Sequence, residues 1–164
     1  MLPTFKSILM PTDWSPASAR AAEYAAALAA RFGASLHLLH VVAYPMDGAA
    51  WPDAYWVELS DLRERMRADA ERQLAALAKS LPGVNATAEV RDGNPPRTIV
   101  AVAKDRGCDL IVMGTHGHGA VAHLLLGSVA ERVVRTAPCP VLTVGPASAA
   151  AEEPALAAAV GAAV

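Results

Sequence analysis

Glycines, a serine and three histidines fall together in the stretch GTHGHGAVAHLLLGS, residues 114 to 128. An apolar run, Leu110 to Met113, precedes it with the length and β-branching of a buried strand. A helical pattern follows from Val129 to Arg135, with Val129, Val133 and Val134 on one stripe and Glu131, Arg132 and Arg135 turned away. Strand, glycine-rich loop and helix in that order can hold phosphate. A helix start offers unpaired N–H groups and a partial positive charge, and glycine lets an anion approach the backbone. Ser128 adds a hydroxyl donor at the same helix start.

Two common glycine motifs do not fit this loop. Gly114-x4-Gly119 has the Walker A spacing, but Ala120 and Val121 stand where that motif requires lysine and Ser/Thr. Gly117-His118-Gly119-Ala120-Val121-Ala122 matches the dinucleotide pattern, yet one further strand follows and it ends Thr143-Val144-Gly145 without an acid. The spacing Gly114-x2-Gly117-x9-Gly127-Ser128 remains, and it fits without a gap. It resembles the nucleotide-binding pattern of the universal stress protein family, in particular its ATP-binding subgroup. The words IVMGTHG, LLLGSVAERVVR, APCPVLTV and MPTDWSPASARAAEYA carry the same resemblance over residues 4 to 145.

That resemblance implies a ligand and a set of contacts. Pro11, Thr12 and Asp13 would meet adenosine, and Val41 would give backbone contacts to adenine. Met113, Gly114, Gly117, Gly127, Ser128 and Val129 would hold ribose and phosphates, with Mg²⁺ as an accompanying ion. ATP-holding members often have arginine just after the second glycine, where this chain has His118. Residues 107 to 131 contain no lysine or arginine, so phosphate binding would rest on backbone N–H groups, Ser128 and any Mg²⁺. His116 and His118 are read as contacts to phosphate or as solvated residues. A metal site is not assigned to them, because no cysteine or carboxylate lies nearby in sequence to complete a ligand set.

The elements that must position this loop follow from local signals. Residues 5 to 10 read as a first strand, ended by Pro11-Thr12-Asp13. Ser15-Pro16 starts a helix, serine as N-cap and proline in the first turn, and the helix runs to Phe32 before Gly33. Ser35 to Val42 is a second apolar strand, which makes a βαβ unit and a parallel sheet. Asp13 then lies at the carboxyl end of a strand, where such sheets bind ligands. By itself it reads as a turn or capping residue. Beside a phosphate loop it reads better as an acceptor for ribose hydroxyls, since an acid next to phosphates would repel them.

A long connection from Ala43 to Leu59 carries Trp51, Tyr55 and Trp56, which could cover a ligand, a partner or the rim of the sheet. The next helix shows one stripe, Leu59, Leu62, Met66, Ala70, Leu74, Leu77 and Leu81, and ends at Pro82-Gly83. Val84 to Arg91 alternates strictly, which predicts an edge strand with one wet face. Asn94 caps a helix with Pro95 and Pro96 in its first turn, closed by Gly107. A fifth strand spans Val141 to Val144. The expected fold is α/β, a single domain with a five-stranded parallel sheet and helices on both faces. It is Rossmann-like and, by the resemblance, of the adenine nucleotide alpha hydrolase-like kind. Residues 1–145 form that domain, and the alanine-rich segment 146–164 reads as a disordered or weakly helical tail.

Composition sets bounds on partners. A net charge of −2 gives no electrostatic basis for nucleic acid or an anionic membrane. No apolar run reaches the roughly 18 residues of a membrane span, and the first residues are broken by Pro3, Lys6, Pro11 and Asp13, unlike a signal peptide. Cys108 and Cys139 read as reduced thiols in a cytoplasmic protein. His37 and His40 read as packed or hydrogen-bonded imidazoles within the second strand. No catalytic residue is assigned, and any ATP hydrolysis is expected to be slow. A phospho-receiver is disfavoured because Asp13 lacks an acidic neighbour and the last strand ends in Gly145-Pro146. The alternative is an interaction protein of the same fold without nucleotide. The resemblance further implies a homodimer paired through Val141 to Val144, whose edge would otherwise be open.

Overall fold

The structure, a computed structural model, describes residues 4–43, 53–81, 83–117 and 126–146, with residues 53–59 described by backbone alone. His118, His123, Trp51 and the segment from residue 147 onward lie outside the described residues, as do the Tyr55 and Trp56 side chains.

The element order is β1 (Ser7–Thr12), α1 (Pro16–Phe32), β2 (Ser35–Val42), α2 (Asp53–Lys79), β3 (Ala86–Asp92), α3 (Pro95–Asp105), β4 (Leu110–Gly114), α4 (Ser128–Thr136) and β5 (Val141–Val144). All strand pairs are parallel, in the order β3-β2-β1-β4-β5. The chain winds outward through β1, β2 and β3, then crosses back to β4 beside β1. That reversal places α1 and α2 on one face and α3 and α4 on the other, and it opens a crevice at the carboxyl ends of β1 and β4.

Each face has its own core. On one, the small faces of Ala21, Ala22, Ala25 and Ala29 let α1 lie close against Ile8, Met10, Leu110 and Val112, and α2 adds Ala70 and Leu74. On the other, Ile99, Val102 and Ala103 of α3 and Ala130 and Val133 of α4 cover Leu9, Leu39, Ile111 and Met113. β1 and β4 are therefore buried on both faces, as their continuous apolar runs predict. β3 lies at an edge, as its alternation predicts.

Several boundaries differ from the sequence reading. β1 continues through Pro11 and Thr12, because Pro11 still pairs with Leu39 and Thr12 with His40. α2 starts at Asp53, within the stretch read as a connection to Leu59. Its stripe is buried only from Ala70 onward, while Leu62 and Met66 are 52% and 44% exposed. Length explains this: 27 residues of helix span about 40 Å at 1.5 Å each. The eight residues of β2 span about 27 Å. In α4 the inward residues are Ala130 and Val133, and Val134 is exposed. Ala88 of β3 is also exposed, although its alternation places it with Val90.

Candidate functional site

A cleft of about 380 Å³ opens at the carboxyl ends of β1 and β4. Pro11 and Thr12 line it from β1, Asp13 from the turn that follows, Val41 from β2, and Met113, Gly114, His116 and Gly117 from β4 and its loop. Gly127, Ser128 and Val129 close it from the start of α4. The residues read in the sequence as nucleotide contacts thus line one cavity, His118 lying outside the described residues. Pro95, Ile99, Thr115 and Ala130 also line it and escaped the sequence reading. The available signal for Pro95 was the Gly93-Asn94-Pro95 turn at the end of an edge strand. There Gly93 takes φ 138°, and its N–H bonds the Val42 carbonyl at 3.1 Å. That bond draws the start of α3 toward the strand ends.

The turn after β1 is held by interlocking hydroxyls. Ser15 caps α1: its Oγ accepts the Ser18 N–H at 3.2 Å, and its hydroxyl lies 3.2 Å from the His116 carbonyl as donor. Thr12 Oγ1 accepts the Trp14 N–H at 3.1 Å and shares a hydrogen bond with Ser18 Oγ, also at 3.1 Å. Asp13 Oδ1 accepts the Ser15 N–H at 3.0 Å, so its carboxylate is oriented and exposed at the cleft's rim. Trp14 adopts φ 66°, a left-handed conformation that costs a non-glycine residue about 1–3 kcal/mol. Its ring packs against His40 with centroids 5.3 Å apart. His40 in turn donates Nδ1–H to the Thr12 carbonyl at 2.8 Å, so the imidazole braces the end of β1. His37 bonds Thr87 Oγ1 at 2.8 Å. Both strand histidines are hydrogen-bonded, as expected.

The three motif glycines have distinct reasons. A Cβ on Gly114 would lie 2.9 Å from the Ser18 backbone nitrogen and 3.0 Å from the Ala17 carbonyl carbon. That glycine lets α1 approach β4. A Cβ on Gly117 would collide with the Asp13 carboxylate, so this glycine makes room for the acid at the cleft. On Gly127 a Cβ would sit 3.2 Å from the Thr115 carbonyl, which already accepts the Gly127 N–H at 2.7 Å. Thr115 N–H in turn bonds the Val144 carbonyl at 2.9 Å, tying the loop to β5.

The helix starts differ in what they offer an anion. α1 is capped by Ser15. α3 is capped by Asn94, whose Oδ1 accepts the Arg97 N–H at 3.4 Å, and prolines occupy its first two positions. α4 begins at Gly127 with no side-chain cap, so among the described residues no capping side chain takes up the first-turn N–H groups of Ser128, Val129 and Ala130. Ser128, Val129 and Ala130 all line the cleft. Among the described residues no group of three or more His, Cys, Asp or Glu side chains could hold a metal ion.

The perturbed ionisable groups lie away from the cleft lining. Burial and the nearby Arg106 hold His37 below the ordinary imidazole range, against a smaller opposing pull from Glu89. Burial alone would raise Glu89, but hydrogen bonds and charge from Arg106 and Arg91 outweigh it and keep its carboxyl below the usual range. Burial pushes the Cys108 and Cys139 thiols up, and both are free. Among the described residues no helix is long and apolar enough to cross a membrane.

Comparison with known proteins matches residues 4–145 to the model of the universal stress protein family. A universal stress protein of Methanocaldococcus jannaschii is 36% identical over 140 residues, covering 85% of this chain and 82% of that protein. One from Thermus aquaticus is 38% identical over 141 residues, covering 85% and 98%. Among solved structures, the universal stress protein UspA from Lactobacillus plantarum superposes with a TM-score of 0.77 at 30% identity, covering 87% of this chain and 99% of that one. A universal stress protein in complex with cAMP superposes with a TM-score of 0.60 at 25% identity, covering 88% of this chain and all of the other.

Proposed function

Because this chain belongs to the universal stress protein family, we propose that it binds an adenine nucleotide, ATP, in the cleft at the ends of β1 and β4. The observation that carries this reading is the convergence of Asp13, the Gly114–Gly117 turn and the uncapped start of α4 on one cavity. A solved relative at 25% identity is a complex with cAMP, which supports the adenine nucleotide class.

The assignment of roles follows the chemistry of the walls. Pro11, Val41, Ile99 and Met113 give apolar surface for adenine. Asp13 accepts from the ribose hydroxyls, which suits an oriented carboxylate at the rim. The phosphates lie at the first turn of α4, on the N–H groups of Ser128, Val129 and Ala130 and the Ser128 hydroxyl, where the helix dipole favours negative charge. Mg²⁺ would arrive on the phosphates themselves and balance their charge. His116 lines the same cleft, its Nδ1 hydrogen-bonded to Thr115 Oγ1 at 3.0 Å.

The function is regulatory, a nucleotide-responsive protein of the stress response, with slow hydrolysis at most. Asp13 is the one carboxylate among the described lining residues, and its role at ribose leaves only a loop histidine such as His116 as a base for an attacking water. Two free thiols suit a reducing compartment, the cytoplasm. The working unit is a homodimer joined through β5. Among the described residues the outer edge of β5 has no partner strand, and it exposes Leu142. The opposite edge, β3, is guarded by Glu89 and Arg91, and Arg67 donates to its Val90 carbonyl at 3.3 Å.

Calorimetry with ATP and adenosine, on the wild type and Asp13→Ala, tests the reading. The substitution should weaken both ligands by a similar factor. Absence of ATP binding at millimolar concentration would overturn the proposal, and a loss confined to ATP would move Asp13 to the phosphates.

A further inference from the structure

We infer that the cleft between the starts of α3 and α4 is a second compartment of the nucleotide site, and that the ligand spanning both is a dinucleoside polyphosphate. The inference rests on nucleotide binding in the first cleft and extends it. The second cleft has a volume of about 390 Å³, which matches the first and suits a group of nucleoside size. Pro95, Ser128 and Val129 belong to both walls, so the two compartments meet along the first turn of α4. Phosphates held on that turn have a cavity on either side.

The walls of the second cleft select what it takes. Arg132 and Arg135 line it with Glu131, Asn94 and Pro96. Arg135 is engaged by Glu131, Nη2 to Oε1 at 2.6 Å. Arg132 is exposed and makes no ion pair among the described residues. The α3 side offers mainly ring surface, since Pro95 and Pro96 have no N–H and Asn94, whose Oδ1 accepts from Arg97, adds one side-chain amide NH2. A second cluster of phosphates would find few partners there. A heteroaromatic base fits better: it lies on proline surface, and a guanidinium can stack on its π face. The first cleft shows the complementary pattern, apolar walls with one acid among its described lining residues, as one nucleoside requires.

The test is calorimetry on the full chain at fixed Mg²⁺, with ATP, adenosine tetraphosphate and diadenosine tetraphosphate, for the wild type and Arg132→Ala. Diadenosine tetraphosphate should bind one per chain and about tenfold more tightly than adenosine tetraphosphate, the factor expected of a partly desolvated guanidinium–base contact. Arg132→Ala should erase that difference and leave ATP affinity within about twofold, because the residue lies beyond the first cleft. Equal affinity for the two tetraphosphates would overturn the inference, since the second nucleoside would then contribute nothing. So would equal weakening of ATP and diadenosine tetraphosphate in the variant, or one ligand shared between two chains. Failure of ATP itself to bind would instead remove the first reading, and this one with it.

Discussion

Replacing Gly114 by alanine adds one methyl group at the end of β4, and the structure says what that methyl meets. It would lie 2.9 Å from the Ser18 nitrogen, 3.0 Å from the Ala17 carbonyl carbon and 3.1 Å from Ala17 Cβ. Non-bonded carbon contacts are comfortable at about 3.5–4.0 Å, so the first turn of α1 would have to retreat by roughly half an ångström or more. Two of the three contacts are backbone, and no side-chain rotation relieves them. That turn is fastened by the Ser15 cap and by the Thr12–Ser18 hydrogen bond, with Ala17 and Ser18 buried. Overpacking of this kind costs about 1–3 kcal/mol. For a domain of this size, 2 kcal/mol lowers Tm by about 4–8 °C. The assay is urea unfolding without nucleotide, where the midpoint should fall at unchanged slope. Gly117→Ala is the contrast. Its methyl displaces the end of the Asp13 side chain, so stability should hold within about 0.5 kcal/mol, while ATP affinity falls. If Gly114→Ala keeps its stability and loses only ATP, the glycine serves the ligand and the helix-packing argument is wrong.

Ser15→Ala removes the α1 cap and the bond to the His116 carbonyl, so unfolding free energy should drop by about 1–2 kcal/mol. A drop below about 0.3 kcal/mol would show the cap to be dispensable. Glu89 titrates below its ordinary range in the folded state, so its stabilisation is full above the unfolded carboxyl value of about 4.3 and is lost as pH falls through the lower folded value. The stability gap between wild type and Glu89→Gln should therefore close on acidification between about pH 5 and pH 3; a gap constant over that range would contradict the assignment. Light scattering at micromolar concentration should return twice the chain mass, and Leu142→Glu at the β5 edge should return the mass of one chain. A monomeric wild type would refute the β5 pairing.

Much of the fold was legible because its signals are local. Pro16 after Ser15, Gly33 in the left-handed region at φ 65°, and Asn94 before two prolines mark helix ends by their own backbone chemistry. The continuous apolar runs of β1 and β4 and the alternation of β3 announce burial on two faces and on one. Other features depend on geometry that a sequence pattern does not contain. The stripe of α2 continues through Leu62 and Met66, but the sheet is shorter than the helix, so periodicity overstates the buried part. Pro11 looks like a strand breaker, yet it keeps its place in the pairing register with β2. The site was legible at the glycines and Asp13, whose spacing is contiguous or motif-like. Pro95 and Ile99 reach the cleft only through the crossover of α3 back to β4, which no spacing along the chain reports. Spacing also left the glycines' reasons open: Gly114 answers to α1, and Gly117 to Asp13.

The central claim is that one cleft, from Asp13 to the first turn of α4, binds adenine nucleotide with its phosphates on that turn. The most direct measurement is an ATP titration of isotope-labelled protein followed by amide NMR. The account predicts saturable shifts concentrated at Asp13, Val41, Gly114 to Gly117 and Ser128 to Ala130, with the largest displacements at the Ser128, Val129 and Ala130 amides that face the phosphates. Adenosine should reproduce the shifts at Asp13 and Val41 and spare those of α4. Shifts that do not saturate, or that gather on another surface with the α4 amides unmoved by ATP, would contradict it.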